Sequence, residues 1–230
     1  MKDNRAKYRI KFSKGDRLRF IGHLDLLNLF HRAIKRSKLP VSYSKGFNPH
    51  QETSFALPLS LGYYGNGEYI DVFMTRQVDG NEITAKLNSS MPSGIKILST
   101  RHFEEGEKTA ASLVAAAEYT VALPENSGIM ENHLSSFLEQ KEILIEKKTK
   151  KNTAQTNIRE DILRLSHKAE GGFVKEINML ISAGSMRSIR ADSVIQALYT
   201  FSSNIYNPYA ISFAREELYK YEDGKYIALE

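Results

Sequence analysis

The sequence predicts an α+β protein made of two tandem ferredoxin-like (βαββαβ) domains with antiparallel sheets. Three observations lead there. Short runs alternate apolar and polar residues with period two, helical periods fall between them, and the order β, α, β, β, α, β occurs twice along 230 residues. A composition of 41% hydrophobic and 26% charged residues is enough for a substantial core.

Residues 8–12 (YRIKF) alternate apolar and basic side chains as a strand does. Residues 13–16 (SKGD) have turn chemistry, and residues 17–21 (RLRFI) alternate again, so the chain is expected to open with a hairpin. From Gly22 the period becomes helical and Pro40 ends it. Strands at 53–57 and 68–74, a helix at 80–89 and a strand at 95–103 complete a first domain, residues 1–104. Residues 105–117 mix charge and alanine without a strand period and read as a linker. In the second domain, 118–230, a strand at 119–123, a helix at 126–140 and a strand at 142–147 lead into a basic polar loop over 147–157. Strands at 161–167 and 173–182 join at Gly171-Gly172. A helix at 191–202 and strands at 210–221 and 226–229 close the chain.

The chain contains no cysteine, which excludes disulfides, thiolate metal sites, a thiol nucleophile and a cysteine-ligated iron–sulfur cluster. No apolar run approaches the ~18–20 residues of a membrane helix, and the N-terminal residues are charged where a signal peptide is apolar. A cytoplasmic protein without membrane contact is expected. Charge is unevenly placed. The first fifty residues hold thirteen Lys/Arg against three Asp/Glu, a balance of +10, whereas the remainder balances at −5. Such a front end suits an anionic partner, or it is simply a solvated basic face.

The first helix concentrates this signal. His23, Leu27, Phe30 and Ile34 share one side as a core face, while Asp25, Arg32 and Arg36 share the other, flanked by Asn28 and Lys35. An acid early and bases late also satisfy the helix dipole. The functional alternative is a phosphate-facing stripe of Arg32, Lys35 and Arg36. The following run, Tyr43-Ser44-Lys45-Gly46-Phe47-Asn48-Pro49-His50, joins a cation and a permissive glycine to aromatic faces and directional polar groups. That mixture fits phosphate anchoring and base stacking by Tyr43 or Phe47, with Asn48 and His50 as hydrogen-bonding groups. A tight crossover with Phe47 in the core is the structural alternative. Catalytic patterns are weak: His23 and His50 are the only candidates for acid–base work, and the six histidines show no metal-binding spacing. Glu68 and Asp71, three apart on a strand, point to opposite faces and make a poor dyad.

The runs FSKG, GHLD, RAIKRSKLP and YSKGFNPH within residues 12–50, continued by Glu68 to Asp71 (EYID), resemble an uncharacterised bacterial domain family found beside, or fused to the C-terminus of, radical-SAM proteins. NIREDI at 157–162 and SMRSIRAD at 185–192 match that family more loosely; both lack its proline, which leaves roles for Arg159 and Arg187 open. The resemblance implies an accessory of a separate radical-SAM enzyme in tRNA, rRNA or ribosome metabolism, and marks His23, Asp25, Glu68, Asp71 and Arg187 as motif residues. A fainter likeness is to CRISPR repeat-processing RNases, which share tandem ferredoxin-like folds. The late run YKYEDGKYIALE lacks their glycine-rich loop. The expectation is thus an RNA-binding protein without cofactor or metal. A metal-independent endoribonuclease and a protein–protein adaptor are its alternatives.

Overall fold

The computed structural model describes residues 5–103, 106–148 and 153–230. In chain order the elements are β1 (Ala6–Lys14), α1 (His23–Arg36), β2 (Thr53–Phe55), β3 (Tyr63–Met74), α2 (Gly80–Ser90), β4 (Ile95–His102), α3 (Ala110–Leu113) and β5 (Val114–Ala122). There follow α4 (Glu131–Glu139), β6 (Leu144–Lys148), β7 (Thr153–Asn157), β8 (Ile162–Glu170), β9 (Phe173–Ser182), α5 (Ala191–Phe201), β10 (Ser212–Glu222) and β11 (Lys225–Ala228). The fold is α+β with antiparallel pairing in every register described. It divides into two compact units, Met1–Val114 with Arg215–Glu230, and Ala115–Ala214. The expected linker at 105–117 therefore carries α3 and the start of β5, and the last strands belong with the first unit.

In the first unit the strands run β4-β1-β3, with β2 and β10 both beside β3 and β11 beside β10. Alternation in β1 sends Tyr8, Ile10 and Phe12 to one face, in register with Val72, Ile70 and Glu68 of β3. There they meet Leu26, Phe30 and Ile34 of α1 and Ile83 and Leu87 of α2. Phe12, Phe30 and Phe55 stack edge to face at 4.8–5.8 Å, and the His23 ring adds its edge to Phe55 at 5.3 Å. Asp79 caps α2 by accepting from the Asn81 and Glu82 amides, and Asn88 exchanges two hydrogen bonds with the Ile97 backbone, fastening α2 to β4. Helix α1 turns its core face slightly from the sequence expectation. Leu26 and Ala33 are buried in place of Leu27 and His23, which lie half-buried on the flank.

Residues 17–21 do not pair as a hairpin strand. They form a 3-10 turn (Asp16–Leu18) and an irregular approach to α1. The cause is Lys14. Its buried ammonium donates to the Ile21 carbonyl at 3.0 Å and the Arg19 and Tyr63 carbonyls at 3.4 Å, so those carbonyls aim inward at a cation rather than sideways at a strand. Burial lowers the Lys14 pKa.

Glu68 and Asp71 each hold a buried guanidinium. Arg215, only 1% exposed, pairs with both Glu68 oxygens (Nε to Oε1 at 2.7 Å) and donates to the Leu57 and Pro58 carbonyls. Arg9 pairs with Asp71 at 3.0 Å and Glu107 at 2.8 Å, and donates to the Lys108 and Leu229 carbonyls. The second oxygen of Asp71 accepts from the Ala110 amide at 2.6 Å, at the start of α3. Burial nonetheless pushes the Asp71 pKa up, against the pull of Arg9. Beside this pair, Lys11 bridges Glu217 and Glu230, and the Tyr69 hydroxyl donates to Glu217. Gly65 and Gly67 make room for these contacts: a Cβ at Gly65 would overlap the Glu68 carboxylate, and one at Gly67 the Glu216 carbonyl of β10.

In the second unit β9 lies between β5 and β8, antiparallel to both, and β6 pairs with β7 as a separate hairpin. The loop expected over 147–157 thus includes β7, which pairs with β6 from Thr153 to Asn157; residues 149–152 lie outside the described residues. Helix α4 starts later than expected. Gly128 takes φ +70°, and a Cβ there would strike the Asn204 side chain, so the helix cannot extend back to 126.

Glu68→Ala should strand Arg215 in the core and lower stability by ~3–5 kcal/mol in urea unfolding. Glu82→Ala, which removes the exposed Glu82–Lys86 pair, should cost at most ~1 kcal/mol. Equal losses from the two variants would refute this account of the core.

Candidate nucleic-acid interface

Much of the N-terminal positive charge is committed internally. Arg5 pairs with Glu52, Arg9 with Asp71 and Glu107, Lys11 with Glu217 and Glu230, and Arg19 with Asp16, while Lys14 is bound to carbonyls. Arg17, Arg32, Lys35, Lys38 and Lys45 are left with no side-chain ion-pair or hydrogen-bond partner among the described residues, and all five stand exposed.

Two features of the first unit carry these cations. One is the outer face of α1, where Leu24, Asp25, Asn28, Arg32, Lys35 and Arg36 are all exposed. Arg36 is partly engaged: it donates to the Ser90 carbonyl at the end of α2 at 2.6 Å, closing a helix terminus that otherwise lacks a cationic partner. Beside this face runs an open groove of about 500 Å³ lined by Phe20, Ile21, Asp25, Asn28, Leu29, Arg32, Arg36 and Pro92. Phe20 is 69% exposed, with the Arg19 guanidinium 5.0 Å from its ring centre.

The other feature is the loop from Tyr43 to His50. Antiparallel bridging of Tyr43 with Gln51 closes its base, and the Ser44 hydroxyl meets His50 Nδ1 at 2.9 Å and accepts from the His50 amide. Tyr43 and Phe47 both project from the protein; Phe47 is fully exposed, so its alternative as a core residue is overturned. Lys45, Gly46 and Asn48 are exposed with them, and Gly46 takes φ +130°, with open space where a Cβ would stand. Phe47 and Tyr43 thus offer two exposed aromatic rings on one hydrogen-bonded loop. The loop reaches α1 through its base: Gln51 donates to the His31 carbonyl at 3.1 Å, and His31 Nε2 lies 3.0 Å from the Thr53 hydroxyl. Burial and the nearby His50 lower the His31 pKa.

The catalytic candidates do not converge. His23 is packed on Phe55, whereas His50 belongs to the loop and its electrostatic neighbour is His31. Among the described residues no three His, Asp or Glu side chains gather as a metal site. Glu68 and Asp71 are buried partners of arginines, and the sequence around those arginines, AKYRIKFSK and SFAREELYKYE, carries other charges at short spacing and so does not single them out. In the second unit the two loosely matching motifs meet: Arg187 pairs with Asp161 at 2.8 Å and with Glu160 at 3.0 Å, while Arg159 donates to the Leu138 carbonyl. Arg187 is thus a tie between segments, and its two acidic neighbours raise its pKa further.

Fold and surface together define an α+β protein that displays a basic and aromatic surface on its first unit. The chain belongs to a bacterial family described as "Uncharacterized protein conserved in bacteria (DUF2344)", whose model matches residues 7–191. No curated protein matches it. Among solved structures it is similar to the crystal structure of an unknown protein from Galdieria sulphuraria, at 15% identity over 92% of this chain and 98% of that one. The TM-score is 0.27.

Phe47→Ala should leave thermal unfolding within ~0.5 kcal/mol of the parent, as for a surface site. A loss of ~3–5 kcal/mol would return Phe47 to the core. His31, with its lowered pKa, is harder to protonate folded than unfolded, so its contribution to stability is complete above pH ~6.5 and is lost as pH falls through the folded value. His31→Gln should therefore flatten the decline in melting temperature between pH 7.5 and 5; an unchanged slope would contradict it.

Proposed function

We propose that the protein binds single-stranded RNA through the outer face of α1 and the 43–50 loop. The observation that carries this reading is the fully exposed Phe47, set beside exposed Tyr43 and Lys45 in a loop tied to a helix whose Arg32 and Lys35 lack internal partners. Unpaired cations take phosphates, and exposed aromatic faces stack unpaired bases. Further, each unit is read as ferredoxin-like. The support is the β4-β1-β3 path with β2 on β3 in the first unit, and β5-β9-β8 in the second, each with two longer helices in the expected places of the chain.

The wider role proposed is that of a cytoplasmic accessory that delivers tRNA, rRNA or a ribonucleoprotein to a separate radical-SAM enzyme. Its support is the motif resemblance; these 230 residues hold no cysteine with which to ligate a cluster themselves.

Affinity for a labelled single-stranded RNA should fall steeply with salt. Replacing Arg32 and Lys35 by alanine should weaken binding and flatten the log–log salt slope by about 1.4, two phosphate contacts' worth. Arg36 is kept, because its bond to Ser90 would confuse binding with helix packing. Tyr43→Ala or Phe47→Ala should weaken binding ~5–150-fold with unfolding unchanged. No binding at low salt, or equal binding by all variants, would sink the reading. Cleavage in EDTA that His50→Ala abolishes would replace the binder with a nuclease.

A further inference from the structure

We infer that the groove beside α1 is a guanine pocket, in which Asp25 reads the base, Phe20 stacks on it and Arg32 holds the neighbouring phosphate. The inference rests on the reading that this face binds RNA, and adds a base preference that cations and aromatics alone cannot give.

Asp25 suits the helix dipole in the first turn of α1, but a general phosphate-binding surface has no use for it. It is an exposed carboxylate with no ion-pair or hydrogen-bond partner among the described residues, set in a groove whose other charges are Arg32 and Arg36. A carboxylate there repels phosphate and lowers non-specific affinity. Its two oxygens form a pair of adjacent acceptors, and guanine alone among the four RNA bases offers two adjacent donors on its Watson–Crick edge, the ring N1–H and the 2-amino group. Adenine, cytosine and uracil each present a single donor position there. Discrimination of this kind is strong, because a base lacking one donor leaves an acceptor unpaired.

The remaining walls fit the same ligand. Phe20 offers an exposed ring at the mouth of the groove, already flanked by Arg19, which Asp16 holds in place. Asn28 can donate or accept in the same groove. Arg32 follows Asp25 by seven residues, two helical turns, so the two stand on one side of α1 about 10.5 Å apart along its axis. That is on the scale of one nucleotide from base edge to phosphate. The volume of about 500 Å³ falls in the range of small-ligand pockets.

The same chemistry would recognise guanine within an RNA strand or in a free nucleotide, and the experiment separates them. Fluorescence anisotropy would compare the intact protein's binding of single-stranded oligomers that differ at one central base, guanine, inosine or adenine, and would measure competition by GMP and AMP. Guanine should exceed inosine and adenine by about tenfold or more. Asp25→Asn should remove that preference while binding the adenine oligomer as well as or better than the parent, since a repulsive charge is gone. Phe20→Leu should weaken the guanine oligomer about tenfold. Thermal unfolding of both variants provides the folding control.

Parent binding without base preference, or Asp25→Asn tightening all oligomers alike, would overturn the pocket and leave the RNA reading standing. Competition by GMP but not AMP, lost in Asp25→Asn, together with no oligomer binding, would keep the pocket and overturn the RNA reading. No binding of any probe would overturn both.

Discussion

Two carboxylates three residues apart on β3 organise the first unit. Strand geometry sends them to opposite faces, and each face therefore receives one anion that must be neutralised away from water. Glu68 meets Arg215, and Asp71 meets Arg9. A guanidinium has five donors, and those left over after the carboxylate go to backbone carbonyls of Leu57 and Pro58 on one side, and of Lys108 and Leu229 on the other. Three stretches distant in sequence, around residues 57–58, 108 and 229, are thereby held to one strand. A hydrophobic pair could supply comparable stability, but it would leave those carbonyls without their guanidinium donors.

That arrangement changes the meaning of the charge count. The basic excess at the front of the sequence suggested a surface device, yet several of its members are internal fasteners, with Lys14 and Arg9 almost wholly covered. What remains for solvent is a smaller and better localised set, on α1 and the adjoining loop. Repulsion among the buried cations is offset by acids drawn from distant sequence, notably Glu107, Glu217 and Glu230.

The alternating strands and most helices were legible because their burial follows simple periods: YRIKF at 8–12 and FVKEINMLIS at 173–182 sit in strands as expected. RLRFI at 17–21 misled because periodicity records side chains, while here the backbone carbonyls are captured by Lys14. The phase of α1 shifted by one position, from Leu27 to Leu26, since both leucines satisfy the period and only packing against Phe55 and β1 chooses between them. Of the surface, the cationic stripe and the loop were legible from residue types. The groove was not, because Phe20 and Pro92 are brought together only by the tertiary fold.

The division of the chain has a consequence for its synthesis. The first unit is interrupted by the second and finished by residues 215–230. While the ribosome is still elongating, β3 has only the three-residue β2 along the edge that β10 will share, and Glu68 has no guanidinium to meet. The nascent N-terminal half is therefore a partly assembled intermediate with an unpaired strand edge and a buried acid awaiting its base, a state prone to wrong pairing. The inserted unit can fold first from contiguous residues. Emergence of residues 215–230 then becomes the step that completes the sheet edge at β3 and gives Glu68 its guanidinium.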